Sequence, residues 1–252
     1  MKISVHPPRV LVCAGLDPSG GAGLVADLEA LAAAGARGWA VATALTAQGP
    51  RGARASVPTA PDLLLAQVDA LLDGGGEIPR AVKTGMLGSA ANASALAERL
   101  SERPLARVPL VVDPVLFASS GLSLLDAGDA RAALDALLAR ATLATPNWPE
   151  LEALAGRPLG TEEEAVRAAR ELPSRAVLVK GGHREGEPVD LLVRGRTMVR
   201  IRGRRRPGTA RGTGCRLASA AAGFLARGFP LEEAVRRAKR VVERYLDRAL
   251  RG

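Results

Sequence analysis

Arg9-Val10-Leu11-Val12-Cys13-Ala14 runs into Gly15-Leu16-Asp17-Pro18-Ser19-Gly20-Gly21-Ala22-Gly23 and then into Leu24-Val25-Ala26-Asp27-Leu28-Glu29-Ala30-Leu31. The first six residues are an apolar run that reads as a short, fully buried strand. Residues 24–31 carry apolar side chains at helical spacing, closed by Gly35. Strand, glycine-rich loop and helix open a doubly wound sheet, whose loops at the carboxyl ends of strands are where ligands bind. The loop is not a P-loop, because no Lys-Ser/Thr follows its last glycine. Gly20-Gly21-Ala22-Gly23 also fits the dinucleotide spacing poorly.

The same alternation repeats downstream. Trp39 to Leu45 is a second apolar strand leading to Thr46-Ala47-Gln48-Gly49-Pro50, with Gln48 just past its end. An amide there can read a ring through paired donor and acceptor atoms; it also reads as an exposed turn residue. Pro61 to Leu72 is a helix that starts on proline and ends at Asp73-Gly74-Gly75-Gly76. Ala81 to Thr84 is a strand with the loop Gly85-Met86-Leu87-Gly88, and Ser89 caps a helix reaching Leu100. Leu110 to Val115 is a strand carrying Asp113, whose exit Pro114 fixes. The turn Ser119-Ser120-Gly121 and a helix from Asp129 to Leu138 follow.

Ala141 to Ala144 is a short strand before Thr145-Pro146-Asn147-Trp148-Pro149-Glu150. Asn147 and Glu150, three apart at a helix start, can share a face and organise a hydrated magnesium ion, or serve as a plain helix cap. Thr161-Glu162-Glu163-Glu164 opens a helix to Leu172 as a capping box. Ala176 to Lys180 is a further parallel strand ending in Gly181-Gly182-His183, where Lys180 can meet a nucleotide phosphate. Val189 to Val193 and Thr197 to Ile201 pair through Gly195, and terminal helices run from Gly214 to Ala226 and from Leu231 to Leu250.

Arg211-Gly212-Thr213-Gly214-Cys215 leads directly into the last-but-one helix. Its glycines let successive N–H groups point at one spot beside the positive end of the helix dipole, a device for holding phosphate or an oxyanion. Cys215 at the same helix start is expected to have a lowered thiol pKa. The residues also read as a glycine-rich turn with a small buried cysteine.

Composition narrows the function classes. The 252 residues suit one α/β domain spanning 1–252, with no internal repeat or linker. Hydrophobic residues make up 47% and aromatics 2%, so the core is aliphatic and bases have almost nothing to stack on. The net charge of +9 is spread over many segments, which favours a small anionic ligand over nucleic acid. The two cysteines, Cys13 and Cys215, do not make a disulfide scaffold. With no signal-peptide pattern and no apolar stretch of about twenty residues, the chain reads as cytoplasmic, with no membrane segment.

In a parallel sheet these strand-end loops open onto one edge. There they assemble an anion cradle, a magnesium carboxylate, a lysine and a ring-reading amide, the parts a kinase for a small ring alcohol needs.

Seven motifs in order resemble the hydroxymethylpyrimidine/phosphomethylpyrimidine kinases of thiamine biosynthesis, in the ribokinase-like superfamily. They are AGLDPSGGAG at 14–23, TALTAQ at 43–48, VKTGML at 82–87, VVDPV at 111–115, TPNWPE at 145–150, VKGGH at 179–183 and GTGC at 212–215. The resemblance implies a three-layer α/β/α fold with a mostly parallel central sheet, a homodimer, and ATP with Mg2+ as cofactors. It implies phosphorylation of 4-amino-5-hydroxymethyl-2-methylpyrimidine and then of its monophosphate. Carried over by position, it places the pyrimidine among Gly15, Asp27, Gln48, Met86 and Val115. It makes Cys215 the catalytic group, with Gly212 and Gly214 holding the migrating phosphoryl. It gives Asp113, Asn147, Lys180, Arg211 and Thr213 to the nucleotide and phosphates, and Glu150 with Asp113 to the metal.

Two positions depart from the family pattern: Arg211 stands where histidine is common, and Ser119 where lysine is common. Both lie near the expected phosphate path, and Arg211 is read either as the replacement charge or as a continuation of the Arg202 to Arg206 run. A pyridoxal-type vitamin kinase on the same scaffold and a non-catalytic pyrimidine-binding relative are the alternatives.

Overall fold

Strand β1 (Arg9–Leu16) extends the expected apolar run by two residues. Val10, Val12 and Ala14 face one side of the sheet, and Leu11 and Cys13 face the other. The structure is a computed structural model that describes residues 6–73, 77–116, 130–182, 187–206 and 210–250. The turn at Ser119-Ser120-Gly121, residues Gly74 to Gly76, Asp129 and His183 lie outside the described residues.

After β1 come α1 (Gly23–Ala33), β2 (Arg37–Gly49), β3 (Gly52–Pro58), α2 (Pro61–Leu72), β4 (Ala81–Thr84), α3 (Ala90–Ser101) and β5 (Leu110–Val112). The chain continues through α4 (Ala130–Arg140), β6 (Leu143–Ala144), α5 (Trp148–Ala155), α6 (Glu162–Glu171) and β7 (Val177–Val179). The hairpin β8 (Val189–Arg194) and β9 (Thr197–Arg202) precedes α7 (Thr213–Ala226) and α8 (Leu231–Ala249). Among the described residues nine strands form one sheet in the order β3-β2-β1-β4-β5-β6-β7-β8-β9. Strands β2, β1, β4, β5, β6 and β7 are mutually parallel, while β3, β8 and β9 add antiparallel edges.

Two aliphatic cores follow from the alternation of side chains across the sheet. Helices α3 to α6 pack over Leu11, Val82, Val112 and Val177. Helices α1, α7 and α8 pack over Val10, Val12, Val111 and Leu178. Ser89 Oγ accepts from the Asn92 amide at 3.1 Å, and the Thr161–Glu164 capping box is present, as the sequence predicts.

Several boundaries move. Gln48 is not beyond β2 but inside it, because Gly49-Pro50-Arg51-Gly52 turns the chain back into β3. Leu110–Val115 and Ala176–Lys180 shorten to β5 and β7, and Lys180 adds only a single bridge to Asn147. At the end of the basic run, Arg206 pairs with Asp247 at 2.8 Å on α8, while Arg202, Arg204 and Arg205 are exposed. Among the described residues no helix is long and apolar enough to cross a membrane.

Candidate active site

The chain leaves β1 outward to β2 and returns inward to β4, so a topological switch point opens between the carboxyl ends of β1 and β4. Gly15 stands at the end of β1, where an added Cβ would lie 2.8 Å from Met86 Sδ. Met86 and Ala44 are buried together and Val115 packs against them. The structure thus brings together three of the five expected pyrimidine contacts. Gln48 lies on β2, half-buried, with its Oε1 3.2 Å from Thr46 Oγ1, which is itself 2.9 Å from Leu16 O.

The start of α7 packs against the first glycine-rich loop, where Arg216 Nη1 donates to Gly21 O at 3.1 Å. Gly212 caps the helix with φ 68°, the left-handed region that favours glycine. A side chain there would also collide with the Gly21 carbonyl, 2.2 Å from the Cβ position. The first intrahelical bond runs from the Arg216 amide to Gly212 O at 3.0 Å. The amides of Thr213, Gly214 and Cys215 therefore have no acceptor within the helix, which makes this end an anion cradle.

Cys215 is only partly exposed, and the expected depression of its thiol does not occur. Burial pushes the thiol up to about 11, and the negative charges of Asp27 and Asp113 add to the rise. The Lys83 ammonium and the Gly23 amide pull the other way without overcoming it. Desolvation outweighs the helix end here.

Lys180, Asp113 and Glu150 form one cluster beside the cradle. Lys180 Nζ lies 2.8 Å from Asp113 Oδ1 and 3.5 Å from Glu150 Oε2. An added Cβ on Gly214 would sit 3.1 Å from the same Nζ, so the ammonium also borders the start of α7. Thr145 Oγ1 donates to Asp113 Oδ1 at 3.0 Å. Burial works against the Lys180 charge, but Asp113 and Glu150 hold it well above the ordinary lysine value. Burial alone would raise Asp113; Lys180 and then Lys83 bring it below the ordinary carboxylate value. Glu150 stays raised because its burial outweighs Lys180.

Asn147 is occupied locally. Its Oδ1 accepts from the Glu150 amide at 2.8 Å while Glu150 Oε2 accepts from the Asn147 amide at 2.7 Å, a reciprocal capping box. The helix-cap reading of this pair is the one the geometry realises. Among the described residues no group of three or more His, Cys, Asp or Glu side chains is placed to hold a metal. Asp113 and Glu150 are instead bridged by an ammonium.

Two expected site residues are held by other side chains. Asp27 is fully buried in α1, with Oδ2 2.8 Å from Lys83 Nζ and Oδ1 accepting from Ser219 Oγ at 2.8 Å. Its polar neighbour is a lysine 56 residues away, and nothing in the local sequence signals that pairing. Arg211 does not continue an exposed basic run. Its guanidinium reaches Asp17 Oδ2 at 2.8 Å, Gly49 O at 2.7 Å and Ser19 Oγ at 3.1 Å, tying three loops together.

A sequence model of the phosphomethylpyrimidine kinase family matches residues 17–251. The chain belongs to this family. It is 42% identical over 248 residues to the thiamine biosynthesis bifunctional protein ThiED of Geobacter sulfurreducens, covering 96% of this chain but 49% of that protein. The chain therefore spans about half the length of that relative. It is 40% identical over 242 residues to the hydroxymethylpyrimidine/phosphomethylpyrimidine kinase of Streptomyces coelicolor, covering 94% and 88% of the two chains. Among solved structures, the pyridoxal kinase of Staphylococcus aureus in complex with AMP-PCP and pyridoxal superposes with a TM-score of 0.81. That enzyme is 29% identical, over 94% of this chain and 87% of its own.

The fold of this family member is the ribokinase-like α/β/α arrangement that the motifs imply. Its sheet edge gathers Gly15, Met86, Val115, Asp113, Glu150, Lys180 and the Gly212–Cys215 turn. Sequence reasoning missed Lys83, Ser219 and Asp17 as site-building residues. Lys83 carried a signal: a lysine inside the apolar strand Ala81–Thr84 is out of place in a fully buried row. Asp17 carried a weaker one, as the only charge in the first glycine-rich loop.

Proposed function

We propose that this kinase transfers the ATP γ-phosphoryl group to the 5-hydroxymethyl oxygen of 4-amino-5-hydroxymethyl-2-methylpyrimidine, and then phosphorylates the resulting monophosphate. The observation that carries the proposal is the position of the α7 start. Its first amides have no acceptor within the helix, Gly214 borders Lys180, and Lys180 joins Asp113 and Glu150 at the same sheet edge where Gly15 meets Met86. Family membership and the name of the Streptomyces relative support the same substrate.

In this reading Met86 and Val115 pack against the pyrimidine ring and Gln48 pairs with its amino edge. The amides of Gly212 to Cys215 hold the oxygens of the migrating phosphoryl. Cys215 Sγ sits beside the attacking hydroxyl to orient it, and in its thiolate form, which the Lys83 charge favours, it accepts the hydroxyl proton. Lys180 moves its charge from Asp113 toward the nucleotide phosphates. Thr213 and Asn147 border the same path.

Asp113 and Glu150 would hold Mg2+. Two buried carboxylates fit an ion that takes one or two carboxylates and completes its shell with water and phosphate oxygens. When bound, magnesium supplies charge neutralisation on the phosphates. Arg211 reaches phosphate only by leaving Asp17, so its role in this state is to shape the cradle.

A homodimer is part of the proposal. On the edge hairpin, Leu45 and Val57 face each other across β2 and β3 and are 57% and 67% exposed, and a second copy of this chain is the occupant proposed for them. Sedimentation of the parent against Leu45→Arg checks it: a dimer that the substitution dissociates supports the assignment, and a monomeric parent contradicts it.

ATP consumption with the pyrimidine, its monophosphate and pyridoxal tests the main reading. The pyridoxal alternative has one observation in its favour, the Staphylococcus aureus structure, whose chain binds pyridoxal on the same fold.

A further inference from the structure

The row that β1, β4, β5 and β6 present to α1 and α7 contains Val12, Lys83, Val111 and Leu143 side by side. Three members are aliphatic. The fourth is a lysine whose side chain is 0% exposed. Burying an ammonium carries a desolvation penalty that its partner's attraction repays only in good geometry, and a well-packed apolar pair in its place is often as stable or more so. Stability alone gives no reason for a lysine at this position. Its surroundings give another.

Helices α1 and α7 pack over this row with matched faces. Gly23 and Asp27 are four apart on α1, and Cys215 and Ser219 are four apart on α7, so each pair shares one helix face. On the outer rung Gly23 stands across from Cys215, and its amide favours the ionised sulfur. One turn deeper, Ser219 Oγ donates to Asp27 Oδ1 at 2.8 Å. Lys83 Nζ reaches the other oxygen, Asp27 Oδ2, at 2.8 Å from the sheet side. Gly85 leaves the ammonium its space, since an added Cβ there would lie 2.7 Å from Nζ.

The sulfur therefore stands one helical turn above a fixed ion pair. After burial, Lys83 is the foremost influence on the thiol and the main charge favouring its ionised form; Asp27 and Asp113 oppose it. Lys180, whose Nζ borders Gly214 beside the cysteine, is a second cation that an ionised sulfur favours. Burial disfavours the Lys83 charge, but Asp27, Cys215 and Asp113 keep the ammonium above the ordinary lysine value.

We propose that Lys83 is a positioning residue for Cys215, the internal cation that acts on the sulfur, held in place by Asp27 and Ser219. Asp27 limits how much of that charge the sulfur feels. The assignment rests on the reading of Cys215 as the group beside the attacking hydroxyl, and it gives the buried pair a function in that site.

The test is the rate at which Cys215 reacts with dithiodipyridine, a neutral disulfide, in the ligand-free protein at about pH 8. Peptide mass spectrometry separates Cys215 from the buried Cys13. Asp27→Asn should react faster than the parent and Lys83→Met slower, each by about three- to tenfold. A shift of about one unit changes the thiolate fraction tenfold, while the altered nucleophilicity returns about threefold. The variant Lys83→Met with Asp27→Asn, which removes both charges and carries the test if Lys83→Met does not fold, should also be slower. Rates equal to the parent, or acceleration in every variant as loosened packing would give, overturn the proposal. Turnover of Cys215→Ala separates the two readings. Normal turnover there removes Cys215 from the reaction whatever the thiol rates show, whereas flat thiol rates with an inactive Cys215→Ala remove only Lys83.

Discussion

Arg211 Nη2 lies 2.8 Å from Asp17 Oδ2, an ion pair between the turn before α7 and the first glycine-rich loop, 194 residues apart. Asp17 is 2% exposed and its other oxygen accepts from the Ser19 amide at 2.9 Å and the Ser19 hydroxyl at 2.6 Å. The same arginine holds the Gly49 carbonyl at the tip of the β2–β3 hairpin. One side chain thus fixes the relative positions of the cradle, the loop and the strand that carries Gln48.

Removing this strut should loosen the site without unfolding the protein. Arg211→Ala leaves a buried carboxylate short of its charged partner, at a cost of about 1–3 kcal/mol, and should raise KM for both substrates more than it lowers kcat. Asp17→Asn should do the same, and the double variant should be no worse than either single change. Thermal melts and steady-state kinetics on the four proteins check this. Additive losses would show that Arg211 acts on substrate phosphate independently of Asp17.

The Lys180 cluster makes a pH prediction. In the parent, Asp113 lies below its ordinary value, so its contribution to stability is present at neutral pH and lost as the pH falls through that lowered value. In Lys180→Met, Asp113 and Glu150 lose the cation between them and both folded-state values rise. The folded state then binds protons more readily than the unfolded one, and stability falls as pH rises through the raised values. The melting temperatures of parent and variant should lie closest near about pH 5 and furthest apart near about pH 8. Differential scanning calorimetry across that range checks the sign, and a constant gap would show that the cluster does not titrate as a unit.

Gln48→Leu should raise KM for the pyrimidine by about tenfold or more while leaving KM for ATP nearly unchanged. An unpaired polar ring edge in a closed site costs about 1–3 kcal/mol. Equal effects on both substrates would place Gln48 outside the ring pocket.

What was legible in the sequence was local. The apolar run from Arg9, the capping residues Ser89 and Thr161, and the glycines around residue 212 announce strand, helix and turn within a few residues of themselves. The order of these signals carried the doubly wound sheet. The β2–β3 hairpin was missed because Gly49-Pro50-Arg51-Gly52 reads equally well as a loop leaving the sheet. The pairing of Leu45 with Val57 is visible only once β3 is folded back.

The residues that the structure gathers at the sheet edge stood out in the sequence, but their partnerships did not. Asp27 with Lys83 and Arg211 with Asp17 are contacts across 56 and 194 positions, made by the packing of α1, β4 and α7. The thiol of Cys215 was misjudged for a related reason. A helix start is written in the sequence, whereas the burial that outweighs it belongs to the assembled fold.

The central claim is the phosphorylation of the hydroxymethylpyrimidine through the Cys215 site. Its most direct test is ATP turnover by the parent and by Cys215→Ala against the pyrimidine, its monophosphate and pyridoxal in parallel. The parent should show its highest kcat/KM for the pyrimidine and measurable turnover of the monophosphate, and Cys215→Ala should fall by about two to four orders of magnitude. A parent that turns over pyridoxal better than either pyrimidine, or a Cys215→Ala variant as active as the parent, would contradict it.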